Sequence, residues 1–100
     1  MKKILQINYK YNRTRPEQEK AALQAAQPVA NVKGVIWKVW ILNEAEKTAG
    51  GIYLFEDEAS AEAYLKGPIV ATVKRNNSDF EAKIFDIVPE PTKITHGPVD

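Results

Sequence analysis

The chain has 100 residues, 44% of them hydrophobic and 27% charged, with a formal net charge of +1 and no cysteine. Its length allows one hydrophobic core and excludes two domains, and its apolar content lies above the disordered range. The near-neutral charge argues against phosphate backbones or acidic membranes as partners, while the lack of cysteine removes disulfides and thiolate chemistry and makes a reducing cytoplasm the default setting.

Met1-Lys2-Lys3 opens like a signal peptide, but Gln6 and Asn8 interrupt the apolar run that follows, and no stretch is long enough to span a bilayer. From Ile4 to Tyr11 the residues Leu5, Ile7, Tyr9 and Tyr11 alternate with Ile4, Gln6, Asn8 and Lys10, which predicts a first strand. Thr14-Arg15-Pro16-Glu17 has the spacing of a capping box, so a helix follows from about 15 to 27 or beyond. Its inward stripe is expected at Ala22, Leu23 and Ala26, small enough to sit close to a sheet, and Pro28 should kink or stop it.

Val35 to Leu42 is rich in β-branched and aromatic residues and reads as a strand buried on both faces, interrupted only by Lys38. Gly50-Gly51 then introduces a short strand, Ile52 to Phe55, as the second arm of an antiparallel hairpin. Asp57 is placed to cap a helix from Glu58 to about Lys66 whose Ala61, Tyr64 and Leu65 share a face. Ile69 to Arg75 predicts one or two further helical turns, and Phe80 to Val88 a last strand. The proline-bearing segment 89–100 is expected to be an extended or frayed arm outside a single domain of residues 1–88.

The order β-α-β-β-α-β is the split βαβ pattern: a ferredoxin-like α+β fold with a four-stranded antiparallel sheet and both helices on one side. The uncovered face does not read as polar, since apolar residues occupy both faces of the second strand and of the third. A broad apolar face predicts a homodimer whose two sheets close against each other as a dimeric α+β barrel.

His96 is the only histidine and lies in the tail, so it is a solvated residue or part of an arm over a pocket; no metal cluster or catalytic triad is legible. Gly50-Gly51 lacks the spacing of a nucleotide loop and reads as a turn or bulge. Lys38, among Trp37, Val39 and Trp40, is either a stem packed beneath a snorkelling head or a cation beside a pocket that stabilises a phenolate, with Asp86 as a countercharge. Asn8 and Gln6 on a central strand need partners; Asn8 either makes a structural hydrogen bond or holds a carbonyl or oxyanion. Tyr9, Tyr11, Trp37, Tyr53, Phe55 and Tyr64 either form plain core or line an aromatic cavity between sheet and helices.

Trp37-Lys38-Val39-Trp40, followed after a polar loop by Ala49-Gly50-Gly51-Ile52-Tyr53-Leu54-Phe55 and an acidic helix start, resembles the YdhR family of proposed monooxygenases. The resemblance runs from Leu5-Gln6-Ile7 to Ala82-Lys83-Ile84-Phe85-Asp86, about the first 88 residues. It implies a homodimer with a pocket in each subunit and oxygenation of a small aromatic compound (a phenol, hydroquinone or anthrone) to a quinone, with no cofactor and molecular oxygen as co-substrate. It implies roles for an Asn on the first strand and a Trp near the pocket, for which Asn8 and Trp37 are the nearest positions; together with Lys38 and Tyr53 these are the expected catalytic residues, and Tyr9, Phe55, Tyr64 and Phe85 the expected substrate-binding ones. Haem degradation, which related proteins perform, is disfavoured because the sole histidine lies outside the helix that carries their ligand. The competing expectation is a non-catalytic dimer that binds a small molecule or serves as a stress-related module.

Overall fold

The computed structural model describes all 100 residues. Its elements are β1 (Lys3–Lys10), α1 (Arg15–Ala30), β2 (Val35–Asn43), β3 (Thr48–Phe55), α2 (Glu58–Leu65), α3 (Pro68–Asn76), β4 (Ser78–Asp86) and α4 (Pro89–Ile94). The strands form one antiparallel sheet in the order β2-β3-β1-β4, so the fold is ferredoxin-like. No helix is long and apolar enough to cross a membrane.

Alternation along β1 sends Leu5 and Ile7 into the core beneath the helices and leaves Gln6 and Asn8 on the opposite, open face. Tyr53 and Phe55 of β3, Ala61 and Tyr64 of α2, Val70 of α3 and Val29 of α1 complete the core. Both caps form: Thr14 Oγ1 accepts from the Glu17 amide at 3.3 Å while the Thr14 amide donates to Glu17 Oε1 at 2.8 Å, and Asp57 Oδ1 accepts from the Ser60 amide at 2.8 Å. Gly34, with φ of +91°, turns the chain from α1 into β2 where a Cβ would lie 2.4 Å from that of Ser60.

Helix α1 runs beyond residue 27 and stops at Ala30, two residues past Pro28, as expected: proline removes one hydrogen bond near the helix end while the Asn31 amide still closes the last turn on Gln27. Several other expectations are corrected, beginning with the inward stripe of α1. Its buried residues are Gln18 and Val29, with Leu23 turned to solvent at 78% exposure. Strand β2 contains no buried residue, because it is an edge strand with one neighbour. Strand β3 begins at Thr48, so Gly50 and Gly51 lie inside it rather than opening it. Strand β4 begins at Ser78 and ends at Asp86, two residues before the expected limits.

The tail is neither extended nor frayed. Pro89 and Pro91 fall in the first turn of α4, where amides have no intrahelical acceptor and proline costs nothing. Beyond it the Pro98 carbonyl accepts from Trp37 Nε1 at 2.8 Å and the Val99 carbonyl from Lys2 Nζ at 3.2 Å. The C-terminus therefore crosses from the β4 edge of the sheet to the β2 edge.

Candidate functional site

Between the helix-covered face of the sheet and the helices lies a cavity of about 370 Å³, in the range of small-molecule sites. It exists because α1 faces it with Ala21, Ala22 and Ala25: the small side chains expected to bring the helix close leave space beneath it instead. Ile7 and Tyr9 of β1, Lys38 and Trp40 of β2, and Tyr53 of β3 form its floor, and Tyr64, Val70 and Phe80 extend its wall.

Lys38 is the chemically distinctive group. Its register partner is Tyr53, and the neighbouring Gly51 makes room for the aliphatic stem, since a Cβ there would lie 2.3 Å from Lys38 Cε. Lys38 Nζ lies 3.2 Å from the Trp40 ring centroid and 4.6 Å from that of Tyr53. No ion pair reaches it: the pairs of the protein join Lys3 to Glu58 and Asp86, and Arg15 to Glu19 and Glu44. Asp86 is therefore not the countercharge of Lys38. It lies at the far edge strand, where Lys3 holds its carboxyl below the usual range. Burial without a compensating anion lowers the Lys38 pKa from 10.5 to about 7.

The Tyr53 and Tyr64 hydroxyls are hydrogen-bonded at 2.8 Å, and with Phe55 the two rings form a cluster with centroids 5.2–5.8 Å apart. Burial raises both phenols, most strongly Tyr53, so they stay protonated and serve as neutral hydrogen-bonding groups. At the other end Gln18 Nε2 donates to the Tyr9 hydroxyl at 3.2 Å, and Arg13 donates to Gln18 Oε1 and, at 3.3 Å, to Asn77 Oδ1. Arg13, Gln18 and Asn77 were not anticipated from the sequence, because nothing local reveals that a loop, a helix start and the start of the last strand converge there.

Of the eight expected site residues, Tyr9, Lys38, Tyr53 and Tyr64 line the cavity. Phe55 lies in the core cluster beside them, fully buried. Asn8 and Phe85 lie on the open face with Gln6, Glu81 and Lys83, because their strand positions alternate with the cavity-facing ones. Trp37 is also outside the cavity lining: it alternates with the cavity-facing Lys38, pairing with Leu54, and its indole donates to the tail. His96 does not line the cavity either.

Fold and cavity define a class: a ferredoxin-like α+β domain with a cavity of small-molecule size between sheet and helices. The family model described as "Putative mono-oxygenase ydhR" matches residues 4–98, and the chain belongs to that family. The match extends through the tail, beyond the 88 residues on which the resemblance rested. No curated protein matches the sequence. Among solved structures, a protein of unknown function from Nitrosomonas europaea is 26% identical with a TM-score of 0.63, covering 87% of this chain and 89% of its own. SnoaB, a cofactor-independent oxygenase from Streptomyces nogalater, is 18% identical with a TM-score of 0.67, covering 89% and 98%. The heme-degrader MhuD from Mycobacterium tuberculosis, with two hemes bound in its active site, is 19% identical with a TM-score of 0.64, covering 87% and 97%.

The MhuD likeness corrects the expectation that this protein needs no cofactor, because the same fold carries a cofactor-independent oxygenase and a heme-binding enzyme. Fold therefore does not decide cofactor use. A haem held by an imidazole does not fit the donors present, as no histidine lines the cavity and its buried oxygen donors are protonated phenols.

Proposed function

We propose that the cavity binds a small aromatic compound bearing an acidic hydroxyl, of the phenol or anthrone type, and that the protein is a monooxygenase converting it to a quinone, one atom of O2 entering as the second carbonyl oxygen and the other leaving as water with the two hydrogens lost. The observation that carries this reading is Lys38: an amine with a pKa of about 7, enclosed by Trp40 and Tyr53 with no carboxylate to hold its proton. The neutral amine takes the hydroxyl proton, and the resulting ammonium stands beside the substrate anion, which is oxidised more readily than the neutral phenol. In the Tyr53–Tyr64 pair one hydroxyl hydrogen is used between the two oxygens and the other is left to donate toward the bound ring system, while Tyr9 shapes the wall and Phe55 backs the two tyrosine rings. Asn8, Trp37 and Phe85 have no place at the reacting atoms in this reading.

Family membership and the likeness to an oxygenase support the reaction class, and the apolar cavity supports the substrate class. We also propose that the protein is a homodimer joined through the open sheet face, where Val39 is 53% exposed and Phe85 44%.

The test is oxygen uptake by the purified protein with anthrone and 1-naphthol, uncatalysed oxidation subtracted. Protein-dependent uptake with quinone formation, lost in Lys38→Met, is the expected result. Binding of both probes without uptake overturns the oxygenase reading in favour of a small-molecule-binding module.

A further inference from the structure

The cavity lining contains two cationic side chains, Lys38 and Arg13, and no Asp or Glu. In a chain with 14 basic and 13 acidic residues this is local segregation, since the acids lie outside the cavity. Arg13 makes no ion pair; its two partners, Gln18 and Asn77, offer neutral amide oxygens. Glu17, the nearest acid in sequence, has Oε1 engaged by the Thr14 amide at the helix cap. A guanidinium has five N–H donors in a planar fork, so two bonds to amides fix its plane and leave donors free.

Fixing an arginine with uncharged partners preserves its full charge for a ligand, whereas pairing it with a carboxylate would neutralise it. The side chain is half-buried, and Gln18, one of its partners, also bonds the Tyr9 hydroxyl inside the cavity. Arg13 and the Tyr9 end of the cavity are thus joined through one amide, while Lys38 stands against Trp40 and Tyr53. Arg13 and Lys38 are distinct groups: the first carries a permanent charge, the second a proton that comes and goes near neutrality.

From this arrangement we infer that the substrate is an aromatic acid, its carboxylate held by Arg13 while its ring lies in the cavity toward Lys38. The inference rests on the reading of this cavity as the substrate site and narrows the ligand from aromatic compounds in general to those with a permanent negative charge. Arg13 is then a specificity-determining residue: it holds the anionic end and leaves proton transfer to Lys38. A neutral ligand of the same shape would leave the Arg13 guanidinium without a counter-ion, and a charge-assisted bond is worth roughly tenfold or more in affinity.

The experiment compares binding of benzoate, 2-naphthoate and anthracene-2-carboxylate with their primary amides, by calorimetry at pH 7 on the wild type, Arg13→Gln and Arg13→Lys. Equal thermal stability of the variants secures the comparison, and Arg13→Lys keeps the charge if Arg13→Gln folds poorly. The expected result is that at least one acid binds roughly tenfold or more tightly than its amide, that the preference falls with added salt, and that Arg13→Gln abolishes it while Arg13→Lys keeps part of it. Equal affinity for acids and amides, a preference that survives in Arg13→Gln, or no acid binding at millimolar concentration overturns the inference. Because binding is read without turnover, acid-selective binding with no oxygen uptake from anthrone, 1-naphthol or 5-hydroxy-1-naphthoate would sink the oxygenase reading alone. Oxygen uptake confined to neutral substrates would sink this inference alone.

Discussion

Lys38 Nζ stands 3.2 Å from the centroid of the Trp40 ring, two residues along the same edge strand. Side chains two apart on a strand share a face, so this contact is built into the local sequence; what it lacks is any anion to keep the ammonium charged. A ring face replaces part of the lost hydration and none of the formal charge, and the amine settles near neutrality.

If Lys38 is the base, only its neutral form works, and activity should rise with pH through about 7 and then level off. Lys38→Met should lower kcat/KM by roughly 100-fold or more and remove that limb. A pH–rate profile of both proteins checks this; an unchanged profile in the variant would take proton transfer away from Lys38.

The same lysine should appear in the stability of the fold. Its folded pKa of about 7 lies below the ordinary 10.5, so between these values the unfolded chain holds a proton that the native state lacks. Stability therefore rises with pH across that window, and below about 7, where both states are protonated, the full penalty of burying the charge is present. Near pH 10 the raised Tyr53 phenol acts in the opposite sense, as the unfolded tyrosine ionises first. Urea midpoints from pH 6 to 9.5 should climb in the wild type and climb less in Lys38→Met.

Gly51→Ala should disturb Lys38 more than the fold. The added Cβ lies 2.3 Å from Lys38 Cε, the flexible end of a side chain able to swing away. A displaced amine regains water and its pKa moves upward, and each unit removes roughly tenfold of the neutral form at pH 7. The readout is a basic shift of the pH–rate midpoint with a small change in melting temperature.

Tyr53→Phe removes the 2.8 Å hydroxyl contact with Tyr64 while keeping the ring that packs on Phe55. The cost should be about 1 kcal/mol, a fall of some 4–8 °C in Tm for a domain of this size. Differential scanning calorimetry measures it. A null effect would mean that the Tyr64 hydroxyl finds another partner in the cavity.

Val39→Glu addresses the open face. Val39 is half-exposed on an edge strand and alternates with the cavity-facing Lys38 and Trp40, so a charge there leaves the cavity untouched. Light scattering should report a dimer for the wild type and a monomer for the variant. A monomeric wild type would remove the sheet-to-sheet interface altogether.

Local patterns sufficed for the four strands, for α1 to α3 and for their order, but not for α4. Period-two alternation in β1, the capping box at Thr14 and the Asp57 cap are local signals written in side chains a few residues apart, and the split βαβ order follows from them. The sequence also singled out Lys38, because one charge in an apolar strand is conspicuous without coordinates. The family likeness was legible for the same reason, being carried by contiguous motifs.

Packing, rather than local pattern, sets which face each strand residue occupies and what gathers at the cavity. Asn8 and Tyr9 are neighbours in sequence, yet one lies on the open face and the other at the cavity floor. The pleat fixes that they differ, and only the packed helices fix which is covered. Arg13 carried no local signal of a site: Gln18 lies five residues on, but Asn77 is 64 residues away at the junction of α3 and β4 and joins them only when the fold assembles. The alanines of α1 were equally ambiguous: small residues permit close approach or leave space, and the helix's position over the sheet made them the roof of a cavity. Long-range placement is set by burial summed over the whole core, and no local pattern encodes that sum.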